Sequence, residues 1–139
     1  MTGGKILPYI IKTDPFEARA DRTVTVIEKP LYGGKDIAPG DEAFVWLSET
    51  AGGNGLAWQG HVSGTNHTAE DGMEISICLA NQLSGVVLGK ADLEPMRNIR
   101  DGLPPSEVAR KLYYQAHNKV AALTHEEGDF LRGFFRTQS

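Results

Sequence analysis

In Ile37-Ala38-Pro39-Gly40-Asp41-Glu42-Ala43-Phe44-Val45-Trp46-Leu47-Ser48 a turn hands over directly to a buried strand. Ala38-Pro39-Gly40-Asp41 is a tight-turn sequence, because proline presets one backbone angle and glycine accepts a positive one. Asp41 is expected to hydrogen-bond the backbone of its own turn. The run from Ala43 to Ser48 is apolar, aromatic and of strand length, bounded by turn residues, as a buried strand requires.

The same punctuation cuts the flanking sequence into short strands. Ile6 to Thr13 is an apolar run whose Pro8 suits an edge or a strand start, and Asp14-Pro15 closes it as a turn. Thr23 to Glu28 alternates around Val24 and Val26, and Pro30 to Asp36 reads as a loop around Gly33-Gly34. Gly52-Gly53-Asn54-Gly55 leads into Leu56 to Ser63, where Leu56, Trp58, Gly60 and Val62 are expected on one face. In Met73 to Leu79 the apolar residues Met73, Ile75, Ile77 and Leu79 alternate with Glu74, Ser76 and Cys78, and Val86 to Leu88 is a shorter strand candidate. Strands over residues 6–13, 43–48, 56–63 and 73–80 are predicted to form one curved sheet or barrel.

In the last third the period changes. Pro104-Pro105-Ser106 reads as a helix start with Ser106 as N-cap, and Val108, Leu112, Ala116, Val120 and Leu123 recur at helical spacing. Lys119 would fall on the apolar side of a continuous helix, so a break is expected near His117-Asn118. Thr124-His125-Glu126-Glu127 fits a capping box. Helices are predicted over 106–116 and 125–135, with Phe130, Leu131, Phe134 and Phe135 supplying the buried face of the second. Phe44, Val62, Ile75, Ile77, Leu112, Phe130, Leu131 and Phe134 form the expected core. The fold class is α+β: a mixed β-barrel or strongly curved sheet with peripheral and C-terminal helices, one domain over residues 1–139.

At 139 residues the chain is long enough to bury a core without covalent staples. Its single cysteine, Cys78, excludes an intrachain disulfide, and the flanking Ile77 and Leu79 make it a structural strand residue. No apolar run approaches membrane-spanning length, and Met1-Thr2-Gly3-Gly4-Lys5 opens without the apolar region of a signal peptide, so no membrane association and a cytoplasmic location are expected. A net charge of −4 argues against a dedicated, salt-driven DNA binder. It leaves room for a module that captures one extruded base, because stacking and edge hydrogen bonds carry most of that recognition. Arg97, Arg100, Arg110, Lys111 and Lys119 gather in the last third.

Residues that carry chemistry elsewhere lack their usual spacing. His61, His67 and Asp71 match no metal motif, and no metal or cofactor is expected. No serine lies in a nucleophile elbow, and no catalytic residue stands out. The better lead is aromatic. Trp58 runs into Gln59-Gly60-His61, where Gly60 admits a ligand or a neighbouring backbone, and a flat aromatic wall beside amide donors suits a planar heterocycle. For Trp46, between Val45 and Leu47, a plain core position is the simpler reading.

Several of these segments carry a resemblance. Tyr9-Ile10-Ile11-Lys12-Thr13-Asp14-Pro15 resembles the opening strand of EVE domains, which ends in a Lys-Ser/Thr-acidic-Pro signature. The Pro39-Gly40-Asp41 turn with its strand, and Leu56-Ala57-Trp58-Gln59-Gly60-His61-Val62, resemble the next strands of that fold. The Pro-Gly-Asp turn is shared with other PUA-like barrels, the ASCH and YTH-related domains among them. The resemblance implies a PUA-like mixed barrel with peripheral helices and a cleft for a modified base of RNA or DNA. By position it implies Lys12, Thr13, Asp14, Trp46, Ser48 and Trp58 as the cleft rim. Two other classes stand beside this one: a protein-interaction or small-metabolite domain on the same barrel, which the acidic balance favours, and a hydrolase, since one fold serves many chemistries.

Overall fold

A computed structural model describes residues 6–68, 70–114 and 117–136. Among these residues six strands close into a barrel: β1 (Pro8–Thr13), β2 (Thr23–Leu31), β3 (Glu42–Leu47), β4 (Gly55–His67), β5 (Met73–Gln82) and β6 (Lys119–Ala122). Their order around the barrel is β1-β3-β4-β5-β2-β6, mixed in direction, with β1 parallel to β3 and β2 parallel to β6. Helices α1 (Lys90–Leu93), α2 (Pro104–Tyr113) and α3 (His125–Arg136) pack on one side. No helix among the described residues is long and apolar enough to cross a membrane.

Strand alternation divides the apolar side chains between two cores. Tyr9, Ile11, Val24, Val26, Val45, Val62, Ile75 and Ile77 fill the barrel. Ile10, Phe44, Trp46, Leu56, Leu112, Leu131 and Phe135 form a second core between the barrel wall and the helices. The Pro-Gly turn behaves as its residues require: the Asp41 carboxylate accepts from the N–H of Ala38 at 2.9 Å and of Leu7 at 3.2 Å. The capping box also forms, the Thr124 hydroxyl accepting from the Glu127 N–H at 3.1 Å while Glu127 accepts from the Thr124 N–H at 3.0 Å.

Several expectations need correction. Val120 to Leu123 does not extend a helical stripe: β6 closes the barrel there, and Lys119 begins it. α2 starts at Pro104, where a proline lacks only a donor the first turn leaves unpaired, so Ser106 is not the cap. Its predicted end at Ala116 lies outside the described residues. Pro30 and Leu31 still belong to β2, and Val86–Leu88 forms no strand. On α3 the buried stripe is Glu127, Gly128, Leu131 and Phe135, while Phe130 and Phe134 are half-buried.

β4 holds the most consequential difference. A bulge lets Ala57 slip between the pairs Val45↔Trp58 and Trp46↔Leu56. One extra residue reverses which face the following side chains take. Leu56 therefore faces the helices and Trp58 the barrel, not one common face. Gly60 is close to backbone: a Cβ there would lie 2.1 Å from the Cys78 carbonyl oxygen, so the approach is by β5.

Candidate strand-end binding site

Polar groups replace the apolar core where β1 and β3 run out. Thr13 pairs with Leu47, and the Ser48 N–H donates to the Thr13 carbonyl at 2.8 Å. Inside the barrel Ile11, Val45 and Trp58 stand in one cross-strand rank, and Thr13 and Leu47 form the next rank toward the strand end. The indole of Trp58, 8% exposed, lies beneath that end, with the Arg22 guanidinium 5.9 Å from its ring centroid. Phe16, just beyond β1, packs against the same core.

The Thr13 hydroxyl donates to the Glu28 carboxylate, which alternation along β2 turns inward after Val24 and Val26. Burial raises the Glu28 pKa above its ordinary value; the Thr13 hydrogen bond opposes that shift and the Asp14 charge adds to it. Asp14 is exposed and accepts from the Asn118 side-chain amide at 2.8 Å. A hydroxyl, an amide and a carboxyl biased toward its neutral form thus offer both donors and acceptors beside an indole.

The other side of the wall carries a second polar cluster. The Glu49 carboxylate accepts from Trp46 Nε1 at 3.2 Å, from the Tyr113 hydroxyl at 3.1 Å and from the Lys90 N–H at 2.6 Å. Lys12 Nζ donates to the Leu112 carbonyl at 3.1 Å and lies 4.6 Å from the centroid of the Tyr113 ring. Lys119, paired with Lys12 across β1 and β6, donates to the Lys111 carbonyl at 2.6 Å. Both lysines meet the C-terminal end of α2, where exposed carbonyls favour cations. Burial lowers both pKa values, that of Lys119 to about 8 with the Lys12 charge contributing. Burial and the Glu49 charge raise the Tyr113 pKa.

The six residues expected at one rim are therefore divided. Thr13 and Asp14 stand at the strand end, Ser48 adjoins them through the backbone with its hydroxyl 3.0 Å from that of Thr50, and Trp58 lies beneath. Lys12 and Trp46 face α2, with Trp46 at 0% exposure. The two tryptophans point to opposite sides of the barrel wall and do not line one cleft. Gln59 likewise turns outward, donating to Glu42 at 2.9 Å, away from the Trp58 ring. The sequence reading missed Glu28, Glu49, Tyr113 and Asn118. Only Glu28 left a signal, as the third inward position after Val24 and Val26.

Clefts of about 570, 250 and 400 Å³ lie elsewhere, lined respectively by the starts of α2 and α3, by Gln59 with the end of α3, and by the end of β2 with the β4–β5 turn. Among the C-terminal cations, Arg97 pairs with Glu94 at 3.4 Å, Arg110 with Glu107 at 2.9 Å and Lys111 with Glu127 at 2.5 Å.

No protein-family profile matches the chain, and no curated protein does. Among solved structures it is similar to human THYN1 protein in complex with 5-methylcytosine-containing DNA, at 14% identity and TM-score 0.60, covering 92% of this chain and 97% of that one. It is also similar to protein PSPTO5229 from Pseudomonas syringae, at 16% identity and TM-score 0.58, covering 91% and 97%. The closed mixed barrel with its helices on one side, and a likeness spanning nearly the whole of both chains, establish that this chain has the PUA-like α+β barrel fold.

Proposed function

We propose that the chain is a module that recognises a modified base of DNA or RNA at the end of β1. The observation that carries this reading is the Thr13–Glu28 pair set above Trp58, at the strand end whose sequence resembles the EVE opening strand. A fold that in human THYN1 is seen with 5-methylcytosine-containing DNA supports it. The base lies against Trp58 and Phe16, and its edge meets the Thr13 hydroxyl, the Glu28 carboxyl and the Asp14–Asn118 pair. Ser48 holds the strand end in place through its backbone. Arg22, over the indole, supplies a cation beside the incoming nucleotide.

Capturing one base needs few phosphate contacts, which agrees with an acidic chain. Fluorescence titration with single-stranded and duplex oligonucleotides containing cytosine or 5-methylcytosine tests the reading, on wild type, Thr13→Val and Trp58→Leu. Stacking on an aromatic contributes about 1–3 kcal/mol per base. Trp58→Leu, which keeps an apolar side chain in the barrel but removes the stacking ring, is thus expected to weaken binding roughly 5- to 150-fold in the folded variant. Thr13→Val is expected to reduce the preference between modified and unmodified strands. Wild type binding none of these strands, or both folded variants binding like wild type, overturns the reading in favour of an interaction domain.

A further inference from the structure

The cleft of about 400 Å³ beside β2 is lined by Lys29, Leu31, Lys35, His67, Thr68 and Asp71 among others, and the strand-end site does not use it. Lys29, Lys35 and His67 are exposed, and none of their side chains makes an ion pair or hydrogen bond among the described residues. That sets them apart from Arg97, Arg110, Lys111 and Arg132, each of which holds a carboxylate. Asp71 is the acidic group in the lining, and Asp36 follows Lys35 in the chain. The cleft is a cationic place on a chain of net charge −4.

Its position ties it to the strand end. His67 pairs with Met73 and Met73 with Glu28, so a single cross-strand rank runs from the cleft to the carboxyl that Thr13 engages. Lys29 is the next residue of β2, turned outward where Glu28 turns inward. It also pairs with Lys119, the residue after the Asn118 that holds Asp14. Paired strands lie about 4.8 Å apart. A strand whose base sits at Thr13 and Glu28 therefore has its flanking sugar-phosphates within reach of Lys29.

Resting on the base-binding reading above, we propose that Lys29, Lys35 and His67 form the phosphate groove of that site, seating the backbone of a single-stranded segment next to the recognised base. The groove contributes affinity and salt dependence, and the strand end contributes the preference for the modified base.

The test is equilibrium binding of three single-stranded oligonucleotides, cytosine-containing, 5-methylcytosine-containing and abasic at the central position, across a salt series. Wild type, Lys29→Gln/Lys35→Gln and Thr13→Val are compared, with thermal unfolding as the folding control. Each phosphate contact contributes about 0.7 to the slope of log K against log salt for single strands. Losing two lowers the slope by about 1.4 and weakens binding about 25-fold at 0.1 M salt, by the same amount for all three strands. The double-lysine variant keeps the modified-base preference, and the abasic strand still binds wild type. Unchanged slope and affinity in a folded double-lysine variant overturn the groove while leaving the base site standing. Binding by wild type that depends on the lysines but ignores methylation overturns the base site while leaving the groove standing. Failure of wild type to bind any strand overturns both.

Discussion

Glu28 shows how one residue links the fold to the site. Its carboxyl faces the barrel interior, and burial holds its pKa above the ordinary 4.5 despite the Thr13 hydrogen bond. Between 4.5 and that raised value the folded chain holds a proton that the unfolded chain has released. The stability contribution is thus fully present below 4.5 and is lost as pH rises through the folded pKa. Glu28→Gln removes the charge and keeps an oxygen for Thr13 to donate to. The variant should melt higher than wild type at pH 7, with the difference closing toward pH 4, as read by thermal unfolding at several pH values. Equal melting temperatures at pH 7 would show that the carboxylate is solvated there. The sequence exposed Glu28 only as an inward position of an alternating strand. Its partnership with Thr13 depends on barrel closure, which joins residues from strands that are not neighbours around the barrel.

At the scale of elements, the strands were legible because alternation and turn chemistry act within a few residues. Met73 to Leu79 alternates in the structure as it does in the sequence, and the Asp41 and Thr124 caps form as their residue types require. The bulge at Ala57 was not legible, because it is set by pairing with β3 and β5 and reverses the faces of Leu56 and Trp58 without a local signal. β6 was hidden for a related reason: Val120 and Leu123 fit a helical stripe, and only the free edges of β1 and β2 make a strand there satisfy more backbone groups. On α3, Gly128 brings the helix against β1, since a Cβ there would lie 3.0 Å from the Pro8 ring. That approach rotates the buried stripe onto Leu131 and Phe135, leaving Phe134 edge-on to Phe130 at 5.3 Å. Phe135→Ala should therefore cost about 3–5 kcal/mol in chemical denaturation, the usual penalty for a buried aromatic. Phe134→Ala should cost about 1 kcal/mol, near the centre of the range for single substitutions. A larger loss at Phe134 than at Phe135 would place the helix in the register its sequence alone suggests.

For the whole molecule, the seam between β1, β6 and the end of α2 concentrates groups whose titration is displaced in opposite directions. Lys119 falls from its ordinary 10.5 to about 8, chiefly through burial, and Lys12 shifts the same way. Between about 8 and 10.5 the unfolded chain holds lysine protons that the folded chain has given up, so stability rises with pH across that window. One proton's difference gives a slope of at most about 1.4 kcal/mol per pH unit. Tyr9 and Tyr113 act oppositely: burial raises both above 10.0, so beyond that pH the folded chain keeps protons the unfolded chain loses, and stability falls. Denaturant unfolding from pH 7 to 11 should consequently show a stability maximum near pH 10, well above the usual range between about 5 and 8. Lys119→Met should flatten the rise, leaving the share of Lys12, and should leave the fall above pH 10 in place. Its absolute stability decides nothing, because the variant also leaves the Lys111 carbonyl without the amine that meets it. A wild-type profile that declines steadily from pH 8 would mean that the two amines stay protonated in the folded barrel, held by the carbonyls at the end of α2.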